Sequence, residues 1–235
     1  MDIEQLVADL LADKAPVRAR DMSLAWAERR NSSWADAARE AETRAGSSGH
    51  IPQIRGQLRY HLGEVAIADA ARHVGAGVIP LRTQPAGGIF NVARIGRFAL
   101  VSLTVRYPGL LPRRSITRKL LSQPNEAIDP ALTLPLGGDQ PKVVTDLAYF
   151  GCLSAVASSS DPTVPAILAL GVPNVGLTEW ISWTPLHRLQ ALLQERVDSH
   201  TTAGESNPGI IPDRAFPTFK VPKRGAADDE KKDGA

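Results

Sequence analysis

Around Gly75-Ala76-Gly77 the apolar residues change their spacing, and that change limits the folds open to this chain. Upstream, apolar side chains recur every three or four positions, as on one face of a helix. Downstream, they alternate or run together over short stretches, as in strands. Helical spacing gathered on one side and strand spacing on the other argues against a doubly wound parallel sheet. It points to an α+β fold, with N-terminal helices followed by an antiparallel or mixed sheet of about five strands and two further helices.

The helical part reads in three pieces. In residues 3–13, Ile3, Leu6, Val7, Leu10 and Leu11 share a face, and Pro16 is expected to end the helix. Residues 21–45 form a second stretch with Leu24, Trp26 and Trp34; Asn31-Ser32-Ser33 interrupts it, with Ser33 placed to cap a new helix. After a flexible break at 46–49, residues 52–74 form a third helix whose buried stripe is Ile54, Leu58, Leu62 and Val65.

Strands are expected at 78–81, 89–93 and 98–105, the last two joined near Ile95-Gly96. Both faces of FALVSLTV are apolar, which places that strand centrally. RRSITRKLLS at 113–122 suits a short basic helix, and 123–141 is a polar, Pro-rich connection. Residues 142–157 and 166–172 are two further strands. Thr184-Pro185 reads as the start of a last helix, with Leu186, Leu189, Leu192, Leu193 and Val197 buried. The expected organisation is a helical region at 1–49, an α+β core at 50–199 and a poorly ordered tail at 200–235.

Charge is the strongest functional signal. Residues 70–125 hold no acidic residue and nine basic ones: Arg72, Arg82, Arg94, Arg97, Arg106, Arg113, Arg114, Arg118 and Lys119. The formal balance of +2 is therefore +9 in this interval and −7 in the remaining 179 residues, which hold 18 basic and 25 acidic side chains. Arg94, Arg97, Arg106, Arg113, Arg114, Arg118 and Lys119 are the candidate nucleic-acid contacts, arranged as a hairpin turn and a basic helix. Arg114 and Arg118 lie four apart on one helical face. An acidic protein partner, or pairing with the 11 acids of the first 69 residues, would use the same charge.

Catalytic signals are thin. Arg59, His61 and Glu64 sit close together on the third helix and are the candidate acid/base group for phosphodiester cleavage. His61 packing at the edge of the apolar stripe is the plainer reading. The order H-L-G-E lacks the second histidine of a zinc protease. Asp146 is a candidate carboxylate for a metal-dependent nuclease, but the acid-x-lysine pair is missing. Residues 137–142, GGDQPK, share only composition with a phosphate loop, and Ser158, Ser159 and Ser160 read as turn residues. A helix-turn-helix is disfavoured because 46–50 replaces its tight turn.

The single cysteine, Cys152, lies in an apolar run and reads as a buried small hydrophobe, with no disulfide and no cysteine-based zinc site possible. No cofactor or metal is expected. Trp180 and Trp183 are expected to be buried against the last helix rather than to anchor a partner. The tail strip PTFKVPKRG is apolar and basic, and suits either a disordered end or a short motif that adds to a partner. The acidic N-terminus lacks the pattern of a signal peptide, and no run approaches a membrane span, so a cytoplasmic protein is expected. The Ala-, Arg-, Gly- and Pro-rich composition suggests a bacterial source.

Taken together, the sequence points to a protein that binds an anionic partner, foremost nucleic acid. The alternatives are a toxin–antitoxin or phage-defence component acting through protein–protein contact, and a phosphodiesterase or nuclease centred on His61.

Overall fold

A computed structural model describes residues 2–84, 88–131, 148–157 and 160–202. They form α1 (Ile3–Ala12), α2 (Pro16–Arg44), α3 (Ile51–His73), β1 (Val78–Arg82), β2 (Ile89–Ile95), β3 (Phe98–Val105), α4 (Ile116–Ser122), β4 (Tyr149–Ala157), β5 (Pro165–Pro173), β6 (Trp180–Pro185) and α5 (Leu186–Thr202). The fold is α+β, and the sheet has six strands where the sequence suggested about five. The added strand is β6, whose Trp, Ile and Thr suit a pleated surface.

The strands lie in chain order, β1 to β6. Every neighbouring pair is antiparallel except β3 and β4, which are parallel. Two three-stranded meanders thus meet at a parallel seam, and the chain must cross over the sheet to reach β4. α4 and a 3-10 turn at Gln123–Ile128 lie in that crossover.

Residue alternation gives the sheet two different faces. One packs Ala93, Ile95, Phe98, Leu100, Leu153, Leu170 and Val172 against α1, α2, α3 and α5, and holds the larger core. The other packs Phe90, Val92, Ala99, Val101, Phe150 and Cys152 beneath Leu121 of α4 and Leu177. Both faces of β3 are covered, as its unbroken apolar run implies. Burial pushes the Cys152 thiol up to about 12.

Three helical boundaries differ from the sequence reading. Pro16 opens α2 instead of ending α1, because a first-turn residue needs no intrahelical N–H bond. Asn31-Ser32-Ser33 does not interrupt α2; the Ser32 hydroxyl donates to the Glu28 carbonyl at 3.1 Å and the Ser33 hydroxyl to that of Arg30 at 2.9 Å. Thr184 belongs to β6, its hydroxyl bonded to Ser182 and Glu4, and α5 begins at Leu186.

The stripe expected to be buried on α3 is also displaced. Val65 is 53% exposed, and Ile54, Leu58 and Leu62 are half-buried. The buried face is Arg59, Gly63, Glu64, Ala66, Ile67, Ala70 and Ala71. Small side chains let α3 approach α2 and the sheet closely, so the larger apolar residues flank the contact. Trp180 and Trp183 are half-buried, with the Trp180 indole donating to the Gly109 carbonyl at 2.7 Å.

The β2–β3 turn is fixed by Gly96. Its φ is 51°, and a Cβ there would lie 2.2 Å from the Leu11 carbonyl oxygen, so only glycine fits between the turn and α1.

Candidate anion-binding surface

The acid-free interval is divided between the two ends of the sheet. Arg97 follows the β2–β3 turn, and Arg106 follows β3; eight strand residues separate them, about 25–30 Å of chain. At the turn end, Arg97 Nε meets Asp13 Oδ2 at 2.9 Å, and its backbone bonds Leu10 and Tyr149. Arg94 is half-buried on the face shared with Phe90 and Val92. Arg72, at the end of α3, pairs with Asp69 at 2.9 Å.

The opposite end gathers the ends of β1 and β3 and the start of α4, which runs from there across the Phe90 face toward Phe150. Ser115 caps α4, accepting from the Arg118 amide at 3.2 Å. The Ile116 amide donates to the Gln84 carbonyl at 3.0 Å, and the Thr117 hydroxyl donates to the Arg82 carbonyl at 3.0 Å. These bonds tie the start of α4 to the end of β1. Arg118 lies along the surface, its guanidinium 5.6 Å from the Phe90 ring and bonded to the Arg113 carbonyl at 3.0 Å. Arg113, Arg114 and Lys119 point into solvent. Among the described residues none of Arg82, Arg106, Arg113, Arg114, Arg118 and Lys119 forms an ion pair.

Asn125 holds this crossover down, and sequence reasoning passed over it as part of a polar connection. It is fully buried. Its side-chain nitrogen donates to the carbonyls of Phe150 at 3.0 Å and Pro173 at 2.6 Å, and its oxygen accepts from the Phe150 amide at 2.7 Å. The β4–β5 ladder runs from Ala157 only as far as Cys152 opposite Gly171. One amide side chain thus satisfies the backbone groups where the two strands part. The one local signal is an Asn three residues after a serine-ended helix.

On the other face, β2 and β3 separate beyond Val92–Val101, and charged side chains of α2 and α3 fill the opening. Glu64 accepts the freed Asn91 amide at 2.5 Å, and its own carbonyl accepts the Asn91 side chain at 3.0 Å. Arg30, with no exposed surface, donates to the Arg59 carbonyl at 2.8 Å and to the hydroxyls of Ser33 and Thr104. Arg59 donates to the Pro162 carbonyl at 2.6 Å and lies 4.1 Å from the Trp34 ring centre; Arg30 lies 4.9 Å from the same ring. Burial lowers both guanidinium pKa values to about 10, with Arg59 and Arg55 as the respective neighbouring charges.

His61 does not join this group. It is exposed, with its ring edge-on to Tyr60 at 5.2 Å, while Glu64 points inward to β2. The expected acid/base cleft of Arg59, His61 and Glu64 is therefore not formed: the buried face of α3 runs through Arg59 and Glu64, and His61 lies off it. Asp146, residues 137–142, Ser158 and Ser159 lie outside the described residues. Among the described residues no group of three His, Cys, Asp or Glu side chains is placed to hold a metal ion, and no helix is long and apolar enough to cross a membrane.

Burial raises the Glu64 carboxyl from 4.5 to about 7, against the Asn91 hydrogen bond and the charges of Arg118 and Arg30. The folded chain then holds this proton more tightly than the unfolded chain. Stability should fall as pH rises from 4.5 to 7, by up to about 3 kcal/mol from this group. Urea unfolding midpoints across that window should show the decline in the wild type and a flatter profile in Glu64→Gln; parallel profiles would contradict the assignment.

Gly63 makes room for Arg30. A Cβ at position 63 would lie 2.8 Å from Arg30 Nη1 and 2.9 Å from its Cζ. The guanidinium is pinned by its three acceptors and has nowhere to move. Gly63→Ala gains about 1 kcal/mol of helix propensity but should lose more through displacement of Arg30, a net loss of about 2 kcal/mol. Thermal unfolding checks this, and an unchanged or raised midpoint would contradict it.

No known protein family matches the chain, and no similar curated protein or solved structure was found.

Proposed function

We propose that the α4 end of the sheet binds the phosphate backbone of nucleic acid. The observation that carries this reading is the set Arg106, Arg113, Arg114, Arg118 and Lys119, carried by the segment from the end of β3 through α4 without an ion pair among the described residues. Acids of the N-terminus are engaged elsewhere: Asp13 with Arg97, Glu4 with Arg188, Asp9 with Arg196. Arginine forks suit phosphate oxygens, and contacts to the backbone carry no sequence preference of their own. Arg97 is engaged by Asp13 at the β2–β3 turn, so this reading does not rely on it.

A second reading has its own support. Ile116 is 54% exposed, Tyr107 57% and Leu120 39%, and two of these three are on α4. Apolar residues among the cations suit an acidic protein partner, as in a toxin–antitoxin or phage-defence pair.

Mobility-shift assays with duplex and single-stranded probes at low salt separate the two. Retention that weakens as salt is added supports the first reading. No retention of either probe contradicts it and leaves the acidic protein as the partner to seek by co-purification from the native host.

A further inference from the structure

α2 and α3 leave an open groove of about 800 Å³ on the side away from the α4 surface. Its floor holds Leu24, Leu62 and Val65; Leu24 is 48% exposed and Val65 53%. Asp21, Glu28, Asp36 and Asp69 line its walls, with Arg29 as the one arginine among the lining residues. Asp21, Asp36 and Asp69 also meet Arg20, Arg39 and Arg72, which lie outside the lining. Such exposed pairs are weak and leave the carboxylates open to other cations.

The chain itself carries a segment of the opposite character. Residues 216–224 read FPTFKVPKR, with Lys220, Lys223, Arg224 and no acid. Three of the five phenylalanines, Phe90, Phe98 and Phe150, are at most 2% exposed; the other two are Phe216 and Phe219. Segments that stay solvated are poor in aromatics, so this pair marks a stretch with something to bind. Pro217 and Pro222 interrupt the sequence pattern of a helix across this stretch.

We propose that residues 216–224 dock in the groove between α2 and α3 of the same chain. The lengths agree: nine extended residues span about 25 Å, and α2 from Asp21 to Asp36 covers about 22 Å. The tether is sufficient. α5 touches α2 where Arg20 Nη1 meets Gln194 Oε1 at 3.2 Å, at the Asp21 end of the groove. The 14 residues from Thr202 to Phe216 reach up to about 46 Å. Phe216, Phe219 and Val221 cover Leu24, Leu62 and Val65, and the three cations meet the groove carboxylates.

Paired cysteines in the full-length chain test this. Val65→Cys combined with Phe219→Cys should close an intramolecular disulfide at least about tenfold faster than Val65→Cys combined with Asp229→Cys, because docking raises the local concentration of one tail position over the other. Added salt should narrow the difference. Cys152 is buried and does not compete. Equal rates would overturn the proposal, as would disulfide-linked dimers as the main product, which would assign the groove to a second copy. Trypsin gives an independent reading without new thiols: Val65→Lys, at an exposed position, removes an apolar contact and repels the tail cations, and should speed cleavage after Lys220 by about tenfold. Unchanged cleavage would count against docking.

Discussion

Replacing Arg113 and Arg114 with glutamate is expected to abolish retention of nucleic acid at low salt while leaving the fold intact. Both side chains are exposed and make no ion pair among the described residues, so their reversal removes no internal contact through the charge. If Arg113, Arg114, Arg118 and Lys119 each neutralise one phosphate of a duplex, affinity should fall on the order of a hundredfold between 50 and 200 mM salt. Reversal takes two of those contacts away and adds two repulsions, which places the variant below detection in the same assay. A circular-dichroism melt matching the wild type verifies the fold. Undiminished retention by a folded variant would remove α4 from the binding surface.

Asn125→Asp should be the most destabilising single change in the crossover. The substitution keeps the shape and removes the donor. Carboxylate oxygens would then face the carbonyls of Phe150 and Pro173 in a site with no solvent exposure. Two buried acceptors lose their partner, and an unpaired charge is buried or must be protonated. We expect a loss of about 4 kcal/mol and a melting temperature lower by about 10 °C. Cys152 lies beneath the crossover, so its reaction with a thiol reagent in the native state should also accelerate. A melting temperature within a degree of the wild type would contradict the role given to Asn125. Because α4 adjoins the 3-10 turn that carries Asn125, the variant should also bind nucleic acid more weakly than its residual fold alone would imply.

The order of helices and strands was legible because the spacing of apolar residues changes at a glycine-rich boundary and keeps its period on either side. The central place of β3 followed from the unbroken apolar run of FALVSLTV. What periodicity could not supply was the direction in which α3 faces. Its large apolar residues suggested a buried stripe through Val65, yet close packing selected the small face through Gly63, Ala66, Ala70 and Ala71. Buried charge was equally hidden. Arg30 and Glu64 look like ordinary surface residues of helices, and only the parting of β2 from β3 gives them acceptors and donors indoors. The short strand β6 was masked by Thr184-Pro185, which mimics a helix start.

For the candidate surface, composition identified the arginines but could not say which share a face. Seven candidate contacts span residues 94–119; Arg97 sits at the β2–β3 turn and Arg106 beyond the far end of β3, while α4 crosses the face that carries Arg94. Arg97 answers to Asp13, a partner 84 residues away that no local pattern announces. Thr117 binds the Arg82 carbonyl and so ties the start of α4 to β1, while the register of β1 turns the Arg82 side chain toward the face that α3 covers.

The salt dependence of duplex binding tests the account most directly. The logarithm of the binding constant should fall linearly with the logarithm of salt concentration in the wild type, with a slope near −0.9 per phosphate contact. Replacing Lys119 alone with alanine should make that slope shallower by about one contact, and Arg114→Ala should do the same. Slopes that match the wild type in both variants, or a wild type that binds no nucleic acid at low salt, would contradict binding through the α4 end of the sheet.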